Sequence, residues 1–287
     1  MNNCLINGVA ADYLTVDDRA VHYGDGLFET ILFHEEQLYF WPQHYLRLKQ
    51  SAEKIKLACP YESLLLDDIT KLLNDCDKGL SYAIKIIVTR GASERGYQFE
   101  KKSANSRLVF CSIIEENYSS LLSKTLLSGD LAICEQQVSI NENLAGLKHL
   151  NRLENVLARN EKVIVNNKNV IDGLMLNANN YAIECTTSNF FTVKNNQLYT
   201  PKLNQSGVQG VMRDTVIKLA EKNNIEVSQS DMTIDNIHKM DEIFITNSLI
   251  GMKQINHLDD TNFTSCKVTD RIFKALLKDR ASYVQAI

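Results

Sequence analysis

The chain has 287 residues, of which 44% are hydrophobic and 23% charged, and its net charge is −4. That length suits two domains sharing a cleft, and the balance is that of an ordinary globular protein. A mildly acidic chain is a poor match for nucleic acid or an anionic membrane, and no long uncharged apolar run offers a membrane-spanning helix. The opening Met1-Asn2-Asn3-Cys4 has neither the basic nor the hydrophobic segment of a signal peptide. The seven cysteines are scattered without Cys-x-x-Cys or Cys/His metal spacing, so they read as reduced thiols of a cytoplasmic protein.

Strands are expected at Asn3 to Gly8 and Gln37 to Trp41. Pro42 to Lys56 predicts a helix with Tyr45, Leu46, Leu48 and Ala52 on its buried side, and Leu64 to Leu73 predicts a second. Ala83 to Thr89 and Arg107 to Ile114 are β-branched and apolar, hence strands. The chain then turns polar. The expected organisation is an N-terminal domain over 1–114, a linker over 115–122 and a C-terminal domain over 123–287.

In the second half a helix is expected just after Lys148, with Leu150, Leu153, Val156 and Leu157 on one face. Phe190 to Val193 and Gln197 to Thr200 flank Lys194-Asn195-Asn196, a hairpin signal. Met212 to Asn223 reads as a helix opened by Gly210. Glu242 to Thr246 is a strand entering a turn at Asn247-Ser248, and Val268 to Tyr283 is an amphipathic helix. The fold class is therefore mixed α/β, with two domains and an active site at their interface.

Four segments carry the chemistry. Lys148 follows an Ala-Gly turn and offers an amine. Glu184 sits on a strand-like segment and offers a carboxylate. Gly210-Val211-Met212 opens a helix, whose unsatisfied N–H groups favour an anion. Ser248-Leu249 stands at a strand-to-turn junction and adds a hydroxyl and an N–H. Taken singly, each is commonplace. Together they suit a cofactor with an aldehyde, a basic ring nitrogen and a phosphate, which is pyridoxal 5'-phosphate. The six histidines are isolated and none shows metal-ligand spacing.

Over nearly its whole length the chain resembles the class IV, fold-type IV pyridoxal phosphate enzymes. The match is carried by Asp18-Arg19-Ala20, Tyr23-Gly24-Asp25-Gly26-Leu27-Phe28-Glu29-Thr30, Arg90-Gly91, Arg95-Gly96-Tyr97, the run from Leu144 to Glu154, Glu184 with Asn189-Phe190-Phe191, Gly210-Val211-Met212-Arg213, and Asn247-Ser248-Leu249. Within that group, Lys148-His149-Leu150-Asn151-Arg152-Leu153-Glu154 resembles the aminodeoxychorismate lyases more than the aminotransferases. Branched-chain aminotransferases carry a tyrosine shortly after the lysine, and none stands here.

The resemblance implies that Lys148 condenses with the cofactor aldehyde and moves protons, and that Glu184 holds the pyridine nitrogen. It implies Arg47, Val211, Met212, Ser248 and Leu249 as the phosphate set. Thr30 would assist proton handling. Arg95 and Tyr97 would bind a substrate carboxylate, with His149 and Arg152 as further substrate-binding candidates. Asp17-Asp18-Arg19 would brace the loop entering the active site. The implied substrate is 4-amino-4-deoxychorismate, the implied assembly a homodimer, and the rival activity an aminotransferase acting on D-amino or branched-chain amino acids.

Overall fold

The computed structural model describes residues 4–74, 76–99 and 104–287. The chain forms two compact units: Met1–Glu116 with Lys148–Asn151 and Tyr283–Ile287, and Asn117–Leu147 with Arg152–Ser282. It therefore leaves the first unit, returns for the short segment that contains Lys148, and returns once more near residue 283. Each unit carries a sheet with helices, so the class is mixed α/β.

Among the described residues the first unit holds a seven-stranded sheet. Its order is Val284–Ala286, Gln37–Tyr39, Gly26–His34, Ser81–Thr89, Ser106–Ile114, Cys4–Ile6, Val9–Ala10. Every pairing in it is antiparallel. The expected strand from Asn3 appears as Cys4–Ile6; residues 1–3 lie outside the described residues. Successive side chains of a strand leave on opposite faces. Along Gly26–His34, Leu27, Ile31 and Phe33 join Trp41, Leu48, Leu65 and Ile69 in one apolar core. Phe28 and Thr30 take the other face and are half-buried.

The helix Trp41–Lys54 is seated on this sheet by apolar contact and by one buried carboxylate. Glu29 is 2% exposed. It accepts from Arg47 Nε at 2.8 Å and Arg47 Nη2 at 2.5 Å, and from His44 Nδ1 at 2.6 Å. Burial resists its ionisation, but the Arg47 charge and the His44 hydrogen bond outweigh that and bring its pKa down to about 2. His44 is fully buried. Burial lowers its pKa, and the charges of Arg47 and Lys148 act in the same direction against the pull of Glu29. The imidazole is thus neutral, donating Nδ1–H to Glu29. Leu46, expected on the buried side, is 53% exposed. The buried positions Trp41, His44, Leu48 and Ala52 follow helical spacing, which turns Leu46 to solvent.

The second unit, among the described residues, holds a nine-stranded sheet. Its path runs Val227–Ser230, Gln197–Pro201, Asn189–Lys194, Glu242–Asn247, Gly251–Leu258, Leu127–Ile133, Val170–Leu176, Ala182–Cys185, with Thr261–Asn262 paired beside Gly251–Leu258. Three of its pairings are parallel. The predicted hairpin is present, with Asn195 and Asn196 at φ 51° and 65°, the left-handed values a tight hairpin turn demands. Phe190, Ile243, Ile245, Ile255 and Leu174 form the core. The helices Val211–Lys222 and Lys267–Lys278 bury Val216, Leu219, Ile272 and Phe273. The last helix is shorter than expected, with 3-10 geometry over Arg280–Tyr283. Residues read as linker include Ser119 and Ser120, both fully buried, and Ser120 opens the helix Ser120–Ser123.

Two outcomes follow from the Glu29 cluster. Glu29→Gln should cost about 3–5 kcal/mol of unfolding free energy, because it removes one partner of a buried ion pair with Arg47. A urea midpoint equal to that of the wild type would contradict the role given to Glu29. The pH dependence is also fixed. His44 has a folded pKa below its ordinary 6.5, so its contribution is fully present above that value and declines as pH falls below it. The slope it adds is up to about 1.4 kcal/mol per pH unit, one proton's worth. The Glu29 contribution persists lower, and is lost only as pH falls from about 4.5 towards about 2. Denaturation of wild type and His44→Asn between pH 7.5 and 5.5 checks this, since the variant should show the shallower slope.

Candidate active site

Lys148 owes its place to an open strand edge. Gly26–His34 pairs fully with Ser81–Thr89, but with Gln37–Tyr39 only at Phe33 and His34. The backbone groups near Gly26 and Phe28 need other partners. Phe28 N–H donates to the Lys148 carbonyl, and Leu150 N–H donates to the Gly26 carbonyl, each at 3.0 Å. Gly26 permits the approach, since a Cβ there would meet the Val88 carbonyl at 2.6 Å and Leu150 Cδ1 at 2.7 Å. Lys148 thus lies on an extended segment, and the helix expected at once begins only at Leu153. That helix exposes its apolar residues: Leu153 is 69%, Val156 54% and Leu157 52% exposed.

The Lys148 ammonium lies 4.3 Å from the centre of the Phe28 ring. Lys85 approaches the same ring at 5.4 Å and stands directly opposite Thr30 across the sheet. One face therefore gathers Lys148, Lys85, Phe28 and Thr30. Lys85 was missed in the sequence; its signal was a lone charge within the apolar run Ala83-Ile84-Lys85-Ile86. His149 forms an isolated antiparallel bridge with Leu27 on the same strand.

Arg95 and Tyr97 sit on a loop strapped down by Arg19. The Arg19 guanidinium donates to the carbonyls of Gly96, Tyr97 and Gln98 and to Ser93 Oγ. Tyr97 is 86% exposed, with its ring 5.4 Å from that of Tyr23, and Arg95 is exposed. Bracing by Asp18 and Arg19 holds, but not as a pair with each other. Asp18 accepts from Ala20 N–H, Thr89 Oγ1 and Ser106 Oγ. Arg19 and Arg90 both grip Asp25. Burial opposes the Asp25 charge, and the hydrogen bonds from Arg90 and Arg19 overcome it, so its carboxyl lies below the usual range.

In the second unit Glu184 is 4% exposed on the strand Ala182–Cys185. Val208 N–H donates to its Oε2 at 2.8 Å, and Asn189 Nδ2 donates to the Val208 carbonyl at 2.8 Å. Asn189 also presses on Gly210: a Cβ there would lie 1.9 Å from Asn189 Oδ1. Only glycine fits, and as N-cap it brings no side-chain hydrogen bond to the first turn of Val211–Lys222. A helix start without a side-chain cap is the kind of terminus whose N–H groups suit an anion. At the other turn, Asn247 Oδ1 accepts from Leu249 N–H and Ile250 N–H, each at 2.9 Å. Leu249 thus gives its N–H to a neighbour, and Ser248 remains. Arg152 donates from Nη2 to the Leu147 carbonyl at 2.6 Å, bracing the turn ahead of the lysine.

Lys148, Thr30, Arg47, Arg95, Tyr97 and His149 belong to the first unit, and Glu184, Arg152, Val211, Met212, Ser248 and Leu249 to the second. Each unit by itself carries chemistry that pyridoxal phosphate calls for: the first a lysine amine, the second a buried carboxylate and a helix start without a side-chain cap, opened by a glycine that no other residue can replace. Among the described residues no cluster of His, Cys, Asp and Glu could hold a metal ion, and no helix is long and apolar enough to cross a membrane.

The family model for amino-transferase class IV matches residues 26–258. The chain is 30% identical to an aminodeoxychorismate lyase of Vibrio harveyi over 93% of its own length and 97% of that protein's. It is 27% identical to a D-alanine aminotransferase of Listeria monocytogenes, over 90% of this chain and 86% of that one. The crystal structure of 4-amino-4-deoxychorismate lyase from Pseudomonas aeruginosa superposes with a TM-score of 0.86 at 28% identity, covering 96% of this chain and 98% of that one. With the lysine on its strand edge, the buried glutamate and the glycine-opened helix all falling inside the matched span, the chain belongs to the class IV aminotransferase family of enzymes.

Proposed function

We propose that this protein is a 4-amino-4-deoxychorismate lyase, converting its substrate to 4-aminobenzoate and pyruvate for folate biosynthesis. The observation that carries this reading is the face shared by Lys148, Lys85 and Thr30, in a chain whose Lys148-to-Glu154 run is lyase-like. A dicarboxylate substrate needs cations close to the reacting amine, and this face supplies one beside Lys148. Arg95 is the cation for the other carboxylate, with Tyr97, His149 and Arg152 as further substrate-binding residues.

The cofactor is pyridoxal 5'-phosphate. When bound, it supplies an aldehyde that captures the substrate amine and a ring that takes up the electron pair left when a C–H bond breaks. Lys148, as the neutral amine, removes the proton from the carbon bearing nitrogen. Glu184, fixed by Val208 N–H, keeps a proton on the ring nitrogen through a charge-assisted hydrogen bond. The Thr30 hydroxyl guides the proton towards the leaving group. The neighbouring C–O bond breaks, enolpyruvate departs, and the proton ends on the pyruvate methyl group. Aromatisation of the carbocycle drives the step. Val211, Met212 and Ser248 hold the phosphate with Arg47, whose Nε and Nη2 are committed to Glu29.

A second reading is an aminotransferase acting on D-amino or branched-chain amino acids, which the D-alanine aminotransferase likeness favours. It uses the same Lys148 and Glu184 but returns the proton to the cofactor carbon. The seven cysteines are all free, which suits a reducing cytoplasm. The exposed Leu153, Val156 and Leu157 support a homodimer.

Supplied with chorismate, glutamine and an aminodeoxychorismate synthase, the protein should release 4-aminobenzoate, read by its fluorescence. Lys148→Ala should lose at least about a thousandfold in rate while keeping the fold by circular dichroism. No release from cofactor-loaded protein, together with amino-group transfer to a keto acid, would replace the lyase by the aminotransferase. Sedimentation velocity should give twice the chain mass; a monomer at micromolar concentration would remove the homodimer.

A further inference from the structure

Asp172 is a carboxylate that the chemistry above does not use, yet it is among the most heavily hydrogen-bonded groups in the second unit. It is 1% exposed on the strand Val170–Leu176. It accepts from Thr186 Oγ1 at 2.5 Å, Thr187 Oγ1 at 2.7 Å, Gly173 N–H at 2.9 Å, Ser188 Oγ at 3.0 Å and Thr187 N–H at 3.3 Å. Arg159 Nη1 stands off at 3.5 Å. An ionised carboxylate only accepts, so each hydroxyl here must point its proton inward.

That requirement propagates. With its proton spent on Asp172, Ser188 Oγ is an acceptor towards everything else. Asn247 Nδ2 lies 3.2 Å from it and 3.2 Å from the Thr187 carbonyl, another acceptor. Both neighbours demand the NH2 end of the Asn247 amide, so its oxygen must face the other way. There it collects the N–H groups of Leu249 and Ile250. A charge on one strand thereby dictates which way an amide two strands' ends away is turned, and that amide dictates the form of the turn at 248–250. The donors this turn keeps for a ligand are the Ser248 hydroxyl and N–H.

We propose that Asp172 is a positioning residue which, through Ser188 and Asn247, shapes the turn at 248–250 so that Ser248, and not Leu249, takes the phosphate of the cofactor. The proposal rests on the pyridoxal phosphate reading given above. Its signature is selective: the relay serves the phosphate and leaves the aldehyde and ring contacts alone.

The test compares pyridoxal phosphate with pyridoxal, which lacks the phosphate, by absorbance titration of the full chain freed of cofactor. Wild type should prefer the phosphorylated form strongly. Ser188→Ala, which breaks the relay but leaves Asp172 its threonines, should lose about tenfold in affinity for pyridoxal phosphate, the worth of one buried hydrogen bond. Its affinity for pyridoxal should stay within about twofold. Ser248→Ala should show the same selective loss. Thr187→Val removes a bond to Asp172 of the same kind outside the relay, and should leave the ratio of the two affinities at the wild-type value. An unchanged ratio in Ser188→Ala, or an equal fall in Thr187→Val, overturns the proposal. A wild-type chain with no preference for the phosphate overturns the cofactor reading and the proposal with it.

Discussion

The constraint on which the rest depends is the open edge of the strand Gly26–His34. A strand that is paired on one side over only its last residues leaves donors and acceptors to be satisfied along the rest of that edge. Here they are satisfied by the backbone of Lys148 and Leu150, not by another strand. The lysine is consequently fixed by its own main chain, with its side chain over the Phe28 ring. The same strand sends Glu29 to the opposite face, where Arg47 and His44 hold it. Alternation along one strand thus puts Glu29 on the face opposite Phe28, the ring beside the Lys148 amine.

That separation matters because the two kinds of group need opposite surroundings. Glu29 must stay charged under a helix, and does so because two donors overcome the cost of burial. His44 must stay neutral in the same place, and the positive charges of Arg47 and Lys148 help to keep it so. Glu184 in the second unit is buried too, and it accepts the Val208 N–H from the turn before the helix Val211–Lys222.

Much of the fold could be read from the sequence where pattern and local chemistry agreed. The Asn195-Asn196 hairpin, the helix opened by Gly210 and the strand ending at Asn247 each pair a turn residue with a periodic run. The reading failed where apolar spacing had no core to serve. Leu153, Val156 and Leu157 have helical spacing, yet within the chain they face solvent. Leu46 sat in an apolar-looking helix on the wrong side. The strand Gly26–His34 hid in the motif segment, because Gly26, Glu29 and Thr30 interrupt the usual alternation. Its buried glutamate makes sense only once Arg47 is beside it.

The site was legible as an inventory more than as a geometry. Lysine, glutamate and both turns could be named from residue type and order. What the sequence could not express is how donors are allotted. Residue order puts Leu249 after a serine at a turn, and only the structure shows that its N–H goes to Asn247 Oδ1. Asn247 takes it because Ser188 turns its amide, and Ser188 does so because Asp172 claims its proton. Such a chain of obligations runs through residues far apart in sequence, each ordinary alone. Hydrogen-bond direction is a property of the assembled network, and an anion site is defined by the donors that network leaves over.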